Sequence, residues 1–137
     1  LVMRPEGYEP HPVPMDGFAQ HIGTLYSKRV DGNLRFAFHT DKHHTNNAGA
    51  VHGGVLMTLA DLILGNTVMD TLKTHRVVTV SLNCDFIGGV RPGEWLEGEA
   101  RITKITRPLV FLDGRIFNHR GAVLTASGLW YRRPEST

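Results

Sequence analysis

The chain has 137 residues, 41% of them apolar, and a formal net charge of +2. That length suits one domain with a true core, and that composition is ordinary for a globular protein. The basic residues are scattered, Arg132-Arg133 being the only Arg pair, so a nucleic-acid partner is not expected. The single cysteine, Cys84, excludes an intrachain disulfide and points to a reducing, cytoplasmic location. No apolar run reads as long enough to span a bilayer, and Leu1 to Pro14 lack the apolar core of a secretion signal, so no membrane partner is expected.

Residues 1–21 read as an N-terminal arm, rich in Pro and turn formers up to residue 15. Asp16 to His21 is a candidate short helix with Asp16 as its cap. Ile22 to Val30 and Leu34 to His39 flank Asp31-Gly32-Asn33, which predicts a hairpin because Asp-Gly favours a tight turn. Thr40 to Gly49 is polar and loop-like. A helix is expected from about His52 to between Leu72 and His75. Val55, Leu56, Met57, Leu59, Ala60, Leu62, Ile63, Leu64, Val68 and Met69 ring nearly its whole circumference, which predicts a buried helix. One stripe differs: Gly54, Thr58, Asp61 and Gly65 recur at spacings of three and four and share a face.

Val77 to Phe86 alternates as a strand. Val78, Val80, Leu82, Cys84 and Phe86 are expected on the core, with Val77, Thr79, Ser81, Asn83 and Asp85 opposite. Cys84 thus reads as packing. After the turn Gly88 to Gly93, three more strands are expected over Glu94 to Thr106, Leu109 to Asn118 and Ala122 to Tyr131. One helix and several strands are most simply reconciled by a curved antiparallel sheet wrapped around one long central helix, an α+β fold. A bare sheet face or edge would then be covered by another subunit. The compact domain is bounded at 22–133.

The stretch Asn46-Asn47-Ala48-Gly49-Ala50-Val51-His52-Gly53-Gly54 opens this helix. A Gly-Gly pair there leaves N–H groups uncovered, able to hold a developing negative oxygen. Asp61, alone in an apolar helix, is costly unless paired or working. Eight residues separate Gly53 from Asp61, about 12 Å along a helix axis. If both serve one reaction centre, they come from different copies of the chain, and a two-fold dimer makes two equal sites. Blander readings exist for each. Asp61 could be bonded only to backbone or Thr58, the Gly pair could serve close packing, Asn46 and Asn47 could be turn formers, and His52 is best read as orienting the loop. The spacing of His39, His43, His44 and His52 matches no metal-ligand pattern, so no metal and no cofactor are expected.

The pattern Asn46-x-x-Gly49-x-x-His52-Gly53-Gly54, with Asp61 nine residues after the His, resembles the hotdog-fold acyl-CoA thioesterases, within them the phenylacetyl-CoA (PaaI-type) branch, over about Ile22 to Arg132. The resemblance implies hydrolysis of acyl-CoA thioesters. It implies Asp61 as general base or nucleophile, the Gly53 N–H polarising the thioester carbonyl, Asn46 helping to hold that carbonyl or the water, and Thr79 orienting the Asp or the water. His52 and Gly54 would border the substrate, and Arg91, Arg107 or Arg120 at strand ends could meet coenzyme A phosphates. The separation of Gly53 from Asp61 along the helix, together with the exposed sheet edge, predicts a homo-oligomer, a dimer at the least and a tetramer by extension. A hotdog dehydratase would need another placement of His and carboxylate. A non-catalytic acyl-CoA-binding or sensing hotdog protein would share the pocket without needing Asp61.

Overall fold

The computed structural model describes residues 3–12 and 17–135. Seven strands, β1 (Glu9–Pro10), β2 (Leu25–Val30), β3 (Asn33–His39), β4 (Val77–Phe86), β5 (Trp95–Ile105), β6 (Leu109–Asn118) and β7 (Gly121–Arg132), form one antiparallel sheet in the order β1-β2-β3-β5-β6-β7-β4. A short helix α1 (Phe18–Ile22) precedes β2, and the long helix α2 (Gly53–Leu72) lies against the sheet. The expected curved sheet around one helix is what the chain forms.

The β2–β3 turn follows from its residues. Asp31 (φ 53°) and Gly32 (φ 83°) both sit in the left-handed region, as a two-residue hairpin with the sheet's own twist requires. Ile22, expected in the first strand, instead ends α1. Gly23 follows it at φ 130°, and pairing starts only at Leu25. The proposed cap at Asp16 lies outside the described residues.

α2 approaches the sheet closely because three strands offer small residues beneath it. Ala100, Gly114 and Ala126 are cross-strand neighbours on β5, β6 and β7. A Cβ on Gly114 would fall 2.5 Å from Leu64 Cδ1, and one on Gly98 2.5 Å from Ile63 Cδ1. The buried side of α2, with Leu56, Leu59, Ala60, Ile63, Leu64 and Val68, fills this trough. A sheet can wrap only one side of a helix, so the expectation of all-round burial fails: Met57 is 39% exposed. By length and composition alone α2 would also reach across a bilayer, with a mean hydropathy of 1.4, contrary to the expectation that no run would. Here it serves as the core helix of the domain.

β4 also departs from the expected alternation. Thr79 pairs with Trp130 and Ser81 with Leu129, leaving Val80 as an extra residue. Such a bulge shifts which residues face which side. Before it, Val77 packs on the core and Thr79 reaches α2; after it, Leu82 and Cys84 take over the core side. β4 is also an edge strand. Val78 and Val80, expected in the core, are therefore exposed at 43% and 54%, while Phe86, on the same side as Leu82 and Cys84, lies beside Gly53 at the start of α2 and is 50% exposed.

The arm is laid against the domain. Tyr8 is buried and its hydroxyl donates to Glu97 Oε2. His11 sits edge-on to Phe36, with Nδ1 2.8 Å from Ser27 Oγ and Nε2 3.1 Å from Asn66 Oδ1. Asn66 spends its amide N–H on Leu62 O, so its Oδ1 accepts and His11 Nε2 carries the proton. Burial pushes the His11 pKa down, outweighing the Asn66 bond and the Asp70 charge that pull it up. The unfolded chain therefore binds the proton more readily. The stabilising contribution of His11 is complete above about pH 6.5 and is lost progressively as pH falls below that value through the depressed folded-state pKa. Urea midpoints of the wild type and His11→Gln, followed from pH 7.5 down to about 5, should converge, the wild type losing more on acidification. Parallel curves would refute the assignment.

Candidate active site

The loop before α2 is built by its own polar groups. Asn46 Oδ1 accepts from Ala48 N at 2.9 Å and Ala50 N at 3.2 Å, Asn46 N donates to Ala50 O, and Val51 N donates to Val90 O. His44, buried below, accepts from Asp41 N at Nδ1 and so donates from Nε2 to Ile22 O. His52 is the N-cap of α2, in extended conformation (φ −64°, ψ 137°), and its Nδ1 accepts from Gly54 N at 2.8 Å. The loop-orienting reading of His52 is thus the one its geometry supports. His52 O takes the N–H groups of Val55 and Leu56. Gly53 N is left, donating to no acceptor among the described residues, at the positive end of a 20-residue helix. The Phe86 ring lies beside it, 3.4 Å from where a Cβ on Gly53 would be.

Two turns further along α2 lies Asp61. Its Oδ1 accepts a 2.8 Å bond from Thr79 Oγ1. Thr58, the neighbour expected in the blander reading, bonds Gly54 O instead. The second Asp61 oxygen has no partner among the described residues. The β4 bulge is what delivers Thr79 to this carboxylate. Beside the pair opens a groove of about 260 Å³ between α2 and β4, walled by Leu62, Gly65, Met69, Val78 and Trp130. Gly65 and Asp61 were both on the stripe singled out in the sequence. Trp130 and Met69 were not, because nothing in the spacing of β7 marks Trp130 apart from core.

The remaining candidates scatter. Arg91 is on the exposed loop that meets the Asn46–Gly53 segment through Val90 and Val51. Arg120, at the same end, is tied to Glu94, Nη1 to Oε2 at 2.5 Å and Nη2 to Oε1 at 3.0 Å, and this contact holds the Glu94 carboxyl below its usual range. Arg107 is in the β5–β6 turn, next to the strand ends where Arg132 N meets Pro108 O. That is the far end of the sheet from Gly53, so one chain does not gather the three arginines. Burial, then the Asp85 and Asp61 charges, push the Cys84 thiol up, which disfavours the thiolate a nucleophile needs. A larger depression of about 940 Å³ is walled by Glu99, Arg101, Asp113 and Arg115, but neither Asp61, Thr79 nor Gly53 borders it.

The sequence profile of the thioesterase superfamily matches residues 48–125, a span that runs from the Asn46–Gly53 loop through α2 and Thr79 into β7. The chain belongs to the thioesterase superfamily. Among relatives, the Pseudomonas aeruginosa protein named "Putative esterase PA0474" is 32% identical over 93% of this chain and 96% of its own length. The mouse protein named acyl-coenzyme A thioesterase 13 is 31% identical over 64% of this chain and 63% of its own. Among solved structures, the phenylacetic acid degradation-related protein of Ralstonia eutropha superposes with a TM-score of 0.77 at 25% identity, covering 87% of this chain and 92% of that one. This thioesterase therefore has the hotdog fold its motif implied, with PaaI-type proteins among its structural neighbours, and it is a thioester hydrolase.

Proposed function

We propose that the protein hydrolyses acyl-coenzyme A thioesters to free acid and coenzyme A, at two equal sites each shared between two subunits. The observation that carries this is the Asp61–Thr79 pair at the mouth of an apolar groove, in a thioesterase whose unspent helix N–H, at Gly53, is about 12 Å away along the same helix. One chain supplies the loop and Gly53; the other supplies Asp61 and Thr79. The exposed apolar edge residues Val78 and Val80, and Met57 on the bare side of α2, are what a second subunit would cover.

In this reading the thioester carbonyl oxygen accepts the Gly53 N–H, which holds the negative charge of the tetrahedral intermediate. Asp61, through the oxygen Thr79 leaves free, takes a proton from water as the water attacks the carbonyl carbon, or attacks that carbon itself to form an anhydride that water then opens. The C–S bond breaks on collapse, and the sulfur leaves as thiolate and takes up a proton. Thr79 is a positioning residue. Asn46 shapes the loop through Oδ1 and helps to hold the carbonyl or the water. His52 and Gly54 fix the helix start. Arg91 is the best-placed of the arginines for a coenzyme A phosphate. The acyl-coenzyme A name of the mouse relative supports the substrate class. The single cysteine supports a reducing, cytoplasmic setting.

Mixing dead variants tests both substrate and sharing. Asn46→Ala and Asp61→Ala dimers are each crippled at every site, through the loop in one and the carboxylate in the other. In a hybrid dimer one site receives both defects and the other neither. Random pairing makes about half the dimers hybrid, so co-refolding should restore roughly a quarter of wild-type acyl-CoA hydrolysis, read as free thiol. A mixture no more active than its parts, with hybrids confirmed by differential tags, refutes the shared site. A wild type inert on short, medium, long and aromatic acyl-CoA esters refutes the substrate class. Light scattering should give a dimer or a multiple of it at assay concentration.

A further inference from the structure

We propose that the indole N–H of Trp130 is a specificity-determining donor in the groove, selecting acyl groups that carry an oxygen acceptor about one helical turn beyond the thioester carbonyl. Trp130 is 2% exposed and is the cross-strand partner of Thr79. A tryptophan so buried ordinarily gives its N–H a partner. Here Nε1 bonds to nothing among the described residues, while every fully enclosed side-chain nitrogen and oxygen among them is satisfied. The N–H is therefore not sealed in, and Trp130 borders the groove beside Asp61. Gly65 keeps it open. A Cβ there would lie 3.4 Å from Nε1, so any larger residue would screen the donor.

The position defines the ligand chemistry. Gly65 follows Asp61 by four residues, about 6 Å along the axis. An acyl chain with its carbonyl at Asp61 and its body against Leu62, Met69 and Val78 would bring a hydroxyl, oxo or ether oxygen at that depth to the indole. A plain hydrocarbon chain would bury the N–H without a partner, which costs more than the bond itself contributes. A site that offers a buried donor discriminates against substrates lacking the acceptor far better than an apolar wall selects by size. This inference rests on the acyl-CoA reading above.

The test compares hexanoyl-CoA with its ω−1 oxo and hydroxy derivatives. The readout is the ratio of kcat/KM values within each protein, so that packing losses common to both substrates cancel. The wild type should prefer the oxygenated chains by roughly fivefold to tenfold. Trp130→Phe removes the donor, and Gly65→Ala screens it while leaving the tryptophan in the core. In each, the ratio should fall to within about twofold of unity. Gly65→Ala decides if Trp130→Phe fails to fold, since alanine favours the helix. A wild type that hydrolyses all three esters equally, or a preference that survives in a folded variant, overturns the proposal while the acyl-CoA reading stands. A wild type that releases thiol from none of them takes down that reading and this inference together.

Discussion

Asp61→Asn should lower turnover of acyl-CoA esters by about 10²–10⁴-fold, the range a positioned proton-transfer group contributes. Asparagine keeps the shape, and its carbonyl oxygen can still accept the 2.8 Å bond from Thr79 Oγ1. The contact that fixes the side chain therefore survives, and circular dichroism and melting temperature should hardly move. What is lost is the charge on the second oxygen, the one no described residue engages. Neither base nor nucleophile is then available. Thr79→Ala is the companion measurement: it leaves the carboxylate and removes only its anchor, so its loss should be smaller and partly rescued by Thr79→Ser. A folded Asp61→Asn enzyme that releases thiol at a near-normal rate would remove Asp61 from the reaction.

Gly53→Pro should lower kcat by about 10²–10³-fold, the loss seen when one oxyanion donor is removed. Proline deletes the N–H and little else at this position. It is the first residue of α2, where proline is favoured and no intrahelical bond is forfeited. The preceding residue must be extended, and His52 already is, at φ −64° and ψ 137°. The added Cβ would sit 3.4 Å from the Phe86 ring, an ordinary contact. Gly53→Ala separates donor from bulk, since it brings the same Cβ with the N–H retained and should lose far less. A folded Gly53→Pro enzyme as fast as the alanine variant would assign the oxyanion to another group.

Much of the candidate site is legible in the sequence. Asp61 was marked by the cost of a carboxylate in an apolar helix, Gly53 by the pair that opens the helix, and the Asp31-Gly32 hairpin by turn chemistry. Period-two and period-3.6 patterns placed β4, β6 and α2 within a residue or two. What escaped were effects that depend on neighbours in space. α2 looks fully buried because composition records how apolar a helix is, not how many sheets are present to cover it. Trp130 reads as core from β7 alone, and only the absence of a side chain at Gly65, across the groove, makes its N–H notable. Arg91 and Arg120 lie at one end of the sheet and Arg107 at the other, a separation hidden in the sequence because strand ends look alike there.

The extra residue at Val80 divides β4 into two stretches that answer to different demands. Leu82 and Cys84 must keep step with the core. The three residues before the bulge are released from that step, and one of them, Thr79, meets Asp61. Variation confined to Val77–Thr79 can therefore retune what touches the carboxylate and the groove without propagating a change of facing through the rest of the strand. The insertion makes this short segment a separable module, where a family could alter its chemistry and leave its framework intact.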